Sequence, residues 1–131
     1  MSYSKKALDQ YNSVSLKTSV SEASPHDLIT MLFDGAITAI TRAKGLMEQK
    51  QMEAKGEQIA KASRILVHLK GALNLEEGGE VAENLDSLYD YMLQRLGTAN
   101  LQLDIDMLDE VAKLIHEVKG GWQEIPDEFK K

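Results

Sequence analysis

The stretch GEVAENLDSLYDYMLQRLGTANLQL, residues 79–103, decides the fold that this sequence predicts. On a helical wheel at about 100° per residue, its apolar side chains form one narrow stripe, as in a helix with a single buried face. Tyr91, Leu93 and Leu101 fall outside that stripe. They are either ordinary exposed apolar residues or part of a second surface that a partner contacts. The stripe itself consists of Val81, Leu85, Leu88, Tyr89, Met92, Leu96, Ala99 and Leu103.

The composition favours one helical domain in a reducing compartment. The chain has 131 residues, 43% of them apolar, with only 5% aromatics, two prolines and no cysteine. The absence of cysteine excludes a disulfide scaffold and a thiolate metal site. No apolar run is long enough to span a bilayer, and the N-terminus has no signal-peptide core. We therefore expect a cytoplasmic protein that does not insert into membranes.

Charge is divided unevenly along the chain. Residues 1–75 carry ten Lys/Arg against seven Asp/Glu, whereas residues 76–131 carry five against fourteen. The acidic second half would repel phosphates, so nucleic acid is not expected as a partner.

The first long helix is predicted to begin sharply and to be unusually apolar. Ser24 is a good N-cap, Pro25 suits the first helical position, and the helix extends to about Gln49. Its apolar arc spans roughly 200°, where a surface helix needs about 100°. Either this helix lies centrally with neighbours on two sides, or one edge of it lines a binding groove. The core stripe is Leu28, Leu32, Ala36, Ala39, Ala43 and Leu46, and the second set is Ile29, Phe33, Ile37, Ile40 and Met47.

Two further amphipathic segments complete the predicted fold. One extends from Met52 or Glu57 to Leu73, before a linker at residues 74–79 that contains paired glycines. The other is capped by Asp104, and Gly120 and Gly121 should weaken its last turns unless Trp122 packs. The sequence predicts an all-α antiparallel four-helix bundle over residues 24–125. A partly mobile N-terminal arm or extra helical turn (1–23) precedes it, and a loose tail (126–131) follows.

Enzymatic and metal chemistry finds little support in the residues. A di-iron bundle needs Glu-x-x-His pairs, and no acidic residue stands three positions before any of the three histidines. We expect no metal site and no cofactor. His68, followed by Leu-Lys-Gly, suggests a histidine phosphotransfer bundle as an alternative. His68 and Lys70 are two residues apart, however, and so lie on different sides of a helix.

Three motifs resemble the FliS family of flagellar export chaperones. The first is ASP at residues 23–25 with LITMLFDGA at 28–36, and the second is LNLEEGGEVA at 73–82 with NL at 84–85. The third is LYDYMLQRL at 88–96 with AN at 99–100. Their order and spacing extend the resemblance over residues 11–122.

The resemblance implies a non-enzymatic bundle that binds the disordered C-terminal segment of flagellin. Such a chaperone would prevent premature polymerisation of flagellin and deliver it to the flagellar type III export gate. It also implies that the N-terminal arm, through Tyr11, covers part of the client groove. An alternative reading makes the apolar excess a weak homodimer interface. The candidate partner-binding residues are Tyr11, Ile29, Phe33, Ile37, Ile40, Tyr91 and Leu93.

Overall fold

Four helices joined by tight turns occupy residues 24–123, the part of the chain that the computed structural model describes. We number them α1 (Pro25–Glu48), α2 (Met52–Gly71), α3 (Leu75–Gln102) and α4 (Ile105–Gln123). The predicted arm at 1–23 and the tail at 126–131 lie outside the described residues. The predicted all-α bundle is confirmed over the described range.

The helices form a ring in which each packs against two neighbours. Helix α1 contacts α2 and α4, and α3 contacts the same two helices. Cross-helix contacts fix the directions: Lys44 near the end of α1 pairs with Asp109 near the start of α4. Likewise Lys55, early in α2, donates from Nζ to the carbonyl oxygen of Asn100, late in α3, at 3.1 Å. Helices α1 and α4 are therefore antiparallel, and so are α2 and α3.

Side-chain caps begin three of the helices. The Oγ of Ser24 accepts from the backbone N–H of Asp27 at 3.2 Å, and the Oδ1 of Asp104 accepts from that of Met107 at 3.2 Å. Both predicted caps are thus confirmed. Each satisfies one of the N–H groups that a helix leaves unpaired in its first turn.

The predicted linker at residues 74–79 is wrong, because most of it is helical. Asn74 caps α3, accepting at Oδ1 from the N–H of Glu77 at 3.0 Å. The paired glycines do break regularity, since Gly79 has φ 55° and ψ −133°, a conformation that a residue with a Cβ rarely adopts. Helix α3 therefore starts earlier than predicted and contains a kink at Gly79.

Two positions of the predicted α3 stripe are also wrong. Val81 is 69% exposed, and the buried residue after the kink is its neighbour Ala82. Leu103 is 49% exposed because it is the C-cap of α3, in the left-handed conformation with φ 55°, beyond the last helical turn. Leu85 and Leu88 pack against the core, and the remaining four stripe residues are buried as predicted.

The end of α4 is fixed by an aromatic pair. The rings of His26 and Trp122 stack with centroids 4.7 Å apart and an interplanar angle of 9°. The Nε2–H of His26 donates to the Trp122 carbonyl at 2.9 Å, and the Nε1–H of Trp122 donates to the His26 carbonyl at 3.0 Å. This packing accounts for a helix that continues through Gly120 and Gly121 to Gln123.

Candidate functional site

Chemistry at histidine or metal sites has no structural basis within residues 24–123. No group of three or more His, Asp or Glu side chains in that range could hold a metal ion. His68 is exposed on α2. Lys70, which a phosphotransfer motif would place beside it, forms ion pairs with Asp86 at 3.0 Å and Asp90 at 3.6 Å on α3. In the same range, none of the helices is long and apolar enough to cross a bilayer.

The wide apolar arc of α1 is explained by its position between two neighbouring helices. Phe33 and Ile40 are each 2% exposed and belong to the core. Both were predicted as partner contacts, and in this fold neither side chain has free surface. Ile29 and Ile37 are half-buried and pack against the same core, so each retains some accessible surface.

The two candidates on α3 lie on different sides of that helix. Tyr91 is 40% exposed, whereas Leu93 is half-buried against the core. Residues two apart on a helix are separated by about 200°, so these side chains cannot line one groove. Leu101, which the sequence also left outside the stripe, is 85% exposed. Tyr11, the remaining candidate, lies outside the described residues.

Tyr91 is held by two charged side chains that sequence reasoning missed. Its hydroxyl donates to Oε2 of Glu110 on α4 at 2.6 Å. The Nε of Arg95 donates to the other carboxylate oxygen, Oε1, at 2.8 Å, and the Arg95 Cζ lies 5.8 Å from the Tyr91 ring centroid. We call these three residues the Tyr91 group. It spans the seam between α3 and α4.

Hydrogen bonding within the Tyr91 group shifts two pKa values in opposite directions. The hydrogen bond to Glu110 raises the pKa of Tyr91 above its ordinary 10.0, because ionisation would place two negative oxygens together. The hydrogen bond from Tyr91, followed by that from Arg95, lowers the pKa of Glu110 below 4.5. The group is therefore a neutral phenol on an ionised carboxylate at neutral pH.

One signal in the sequence could have located part of this group. Tyr91 and Arg95 are four residues apart, the spacing at which helical side chains meet. Glu110 lies off the apolar stripe of α4, and nothing in its own segment distinguishes it from other exposed acids. Only the packing of α4 on α3 brings it to Tyr91.

The two pairs of helices in the bundle also differ in net charge. Residues 25–71, which hold α1 and α2, carry seven Lys/Arg and five Asp/Glu, a net charge of +2. Residues 75–123, which hold α3 and α4, carry three Lys/Arg and eleven Asp/Glu, a net charge of −8. The seam with the exposed tyrosine thus lies between the two helices that carry most of the acidic residues.

These features place residues 24–123 in the class of all-α antiparallel bundles. Comparison with known proteins specifies that class further. The chain matches the family model described as Flagellar protein FliS over residues 7–128. It belongs to the FliS family, and it is a flagellar secretion chaperone rather than an enzyme.

Several relatives align over almost their whole length. The flagellar secretion chaperone FliSB of Pseudomonas aeruginosa is 47% identical, covering 94% of this chain and 98% of the relative. The flagellar secretion chaperones FliS of Salmonella typhimurium and Vibrio cholerae are 44% and 41% identical, over 92% and 90% of their lengths. A solved structure of a bacterial flagellar chaperone has a TM-score of 0.71 at 17% identity, covering 91% of this chain and 94% of that one, which shows the same fold.

Proposed function

We propose that this chaperone binds the disordered C-terminal segment of flagellin in the cytoplasm. Binding prevents premature polymerisation of flagellin and keeps it available for the flagellar type III export gate. The observation that carries this proposal is the exposed apolar surface of α3 on a bundle whose relatives are flagellar secretion chaperones. The cytoplasmic location is supported by the lack of cysteine in the sequence.

A disordered client requires spread-out apolar contacts. Ordering the client costs conformational entropy, which must be offset by apolar surface buried along its length. Single apolar side chains distributed over several helices meet this need better than one deep pocket. Exposed side chains with this character are Met52, Val67, Leu75, Val81, Tyr91, Leu101 and Leu103.

The candidate contacts divide into surface and support. Tyr91 is the exposed contact, and Ile29, Ile37 and Leu93 contribute the accessible part of half-buried side chains. Phe33 and Ile40 form the core beneath them and position α1 without touching the client.

Calorimetric titration of the full chain with the C-terminal segment of flagellin tests the proposal. We expect saturable one-to-one binding with a negative heat-capacity change, because apolar surface is buried. A scrambled segment of the same composition is the control. Absence of heat with the native segment, in protein shown to be folded by circular dichroism, would contradict client binding.

The N-terminal arm is the second part of the proposal. Tyr11 on this arm occupies part of the client groove until flagellin displaces it. Replacing Tyr11 by alanine should then tighten client binding, because the client no longer competes with the arm. Unchanged affinity in the Tyr11→Ala variant would remove the arm from the mechanism.

Delivery and self-association need separate measurements. Sedimentation at several protein concentrations, with and without the flagellin segment, distinguishes a weak homodimer from a one-to-one client complex. A dimer that persists in the presence of client would place the two interfaces on different surfaces. Pull-down of the client-loaded chaperone with the purified cytosolic domain of the export gate tests delivery, and the client-free chaperone is its control.

A further inference from the structure

An exposed tyrosine on a helical surface is ordinarily free to change rotamer. Tyr91 is 40% exposed, yet its hydroxyl donates to Glu110 at 2.6 Å across the α3–α4 seam. Glu110 is fixed in turn by Arg95, whose Nε donates to the second carboxylate oxygen at 2.8 Å. Two charge-assisted contacts thus hold one accessible ring in a single orientation.

The fixed orientation of the Tyr91 ring should lower the entropy cost of binding a partner. A side chain that is already ordered loses little conformational entropy when a partner covers it, so more of the contact free energy appears as affinity. Tyrosine is also enriched among residues that dominate interface energetics, because one ring supplies a large apolar area with few rotatable bonds. The geometry of the Tyr91 group is that of a preorganised contact.

We propose that the Tyr91 group is an anchor for the client, with Glu110 and Arg95 as positioning residues for the Tyr91 ring. This rests on the proposed function. The occupant is the stretch of the client that places an apolar side chain against the ring and carries at least one Lys or Arg beside it.

The charge of the surrounding helices identifies that occupant. Helices α3 and α4 carry eleven Asp/Glu against three Lys/Arg, so a cationic side chain is attracted to this side of the bundle. An acidic stretch would instead be repelled. Both carboxylate oxygens of Glu110 are engaged within the group, so the attraction comes from the acidic surroundings, while Glu110 serves the ring.

The test is calorimetric titration of wild type and surface variants with the C-terminal flagellin segment. We expect Tyr91→Ala to weaken binding about tenfold, because an interface anchor is lost. Tyr91→Phe and Glu110→Gln should each weaken binding about threefold, since the ring is retained but released. Their double variant should be no weaker than either single variant, because both break the same contact.

A matched control separates positioning from general effects. Glu117→Gln removes one exposed negative charge from α4 and leaves the Tyr91 group intact. This variant should keep its affinity within about twofold of wild type at moderate salt. Raising the salt concentration should weaken wild-type binding, because it screens the cationic part of the client.

A spectroscopic titration tests the Tyr91–Glu110 hydrogen bond independently of client binding. The absorbance rise of Tyr91 on ionisation is isolated by subtracting the titration of Tyr91→Phe from that of wild type. In a Glu110→Gln background the same subtraction should place this rise at lower pH, because the contact that raises the Tyr91 pKa is lost.

The outcomes distinguish this inference from the function on which it rests. Failure of wild type to bind the flagellin segment overturns both. Binding that is equally tight in wild type and in folded Tyr91→Ala overturns the anchor alone. Equal losses of affinity in Glu110→Gln and Glu117→Gln overturn the positioning role of Glu110, because the loss would then come from the removed negative charge and not from the released Tyr91 ring. Binding that strengthens with salt overturns the cationic occupant.

Discussion

Tyr89 and Tyr91 stand two residues apart on α3 and belong to different regions of the molecule. Tyr89 is 3% exposed and lies in the core, whereas Tyr91 is 40% exposed on the seam with α4. The helical repeat places them about 200° apart. One residue type in one helical turn therefore contributes either to stability or to a surface available to a partner.

The two phenols differ in what keeps them protonated. Burial raises the pKa of Tyr89 to about 12, because the protein interior solvates a phenolate poorly. The pKa of Tyr91 is raised chiefly by its hydrogen bond to the carboxylate of Glu110. Both pKa values are thus raised, but poor solvation is the cause for Tyr89 and a hydrogen bond to a carboxylate is the main cause for Tyr91.

The same contrast separates two attachments of α4 to its neighbours. His26 and Trp122 join α1 to the last turn of α4 through a stack in which His26 is buried. Tyr91 and Glu110 join α3 to α4 through an exposed hydrogen bond. We expect the first attachment to govern unfolding and the second to govern binding.

The largest expected effect is the loss of the buried ring. Tyr89→Ala should lower the free energy of unfolding by about 3–5 kcal/mol, because it leaves a cavity in the core. Urea denaturation measures this directly. Tyr91→Ala is the matched control and should cost less than about 1 kcal/mol. Equal losses in the two variants would abolish the distinction between the regions.

Next in size is the attachment at the end of α4. Trp122→Ala removes a ring stack and the indole hydrogen bond to the His26 carbonyl, and should lower the unfolding free energy by about 2–3 kcal/mol. His116→Ala changes an exposed residue of the same helix and should stay within about 0.5 kcal/mol of wild type. If client affinity fell in proportion to stability in Trp122→Ala, the separation of roles between the two attachments would fail.

Alkaline pH should sharpen the comparison between the tyrosines. The folded-state pKa of Tyr89 is about 12 and its ordinary value is 10.0, so its contribution is complete below pH 10 and is lost as pH rises through 12. Wild type should lose on the order of 2 kcal/mol more than Tyr89→Phe across that window. Lys44 and Lys70 also have raised pKa values, but both proteins retain them. Parallel stability curves for wild type and Tyr89→Phe would show that burial does not control this titration.

The smallest expected effect concerns acid pH and Glu110. Because its folded-state pKa is lowered, Glu110 contributes stability above its ordinary value of 4.5, and that contribution is lost as pH falls through the lowered value. Any stability advantage of wild type over Glu110→Gln at pH 7 should shrink at pH 3. Tyr91→Phe should reduce the same pH dependence, because it removes the main cause of the shift. An advantage that is unchanged at pH 3 would show that Glu110 does not titrate with its partners.

Much of the bundle could be predicted from periodicity and capping chemistry. Ser24 and Asp104 cap their helices as predicted, because a cap depends on side-chain chemistry and the next three residues alone. The linker prediction failed for a related reason. Paired glycines weaken a helix, and they therefore suggested a linker. The cap at Asn74 nevertheless starts helix α3 before the glycines, and the helix continues past them with a kink at Gly79.

The candidate site was less accessible to prediction. Periodicity selected Phe33 and Ile40 as surplus apolar residues, and the structure buries both because α1 has neighbours on two sides. Tyr91 was identified as off the stripe, but Arg95 and Glu110 were not associated with it. The apolar pattern predicts which residues are buried, but it does not predict which polar side chains on different helices contact each other.

The sequence by itself determined that residues 24–123 form four amphipathic helices with short connections, and its motifs indicated a flagellar export chaperone. These follow from local properties: the 3.6-residue repeat, the caps and the order of nearby residues. Only the tertiary structure decided that Phe33 is core and that Tyr91 is held by Glu110 from another helix. The rotation of each helix relative to its neighbours depends on how their whole surfaces pack, so it cannot be deduced from the sequence of any one helix.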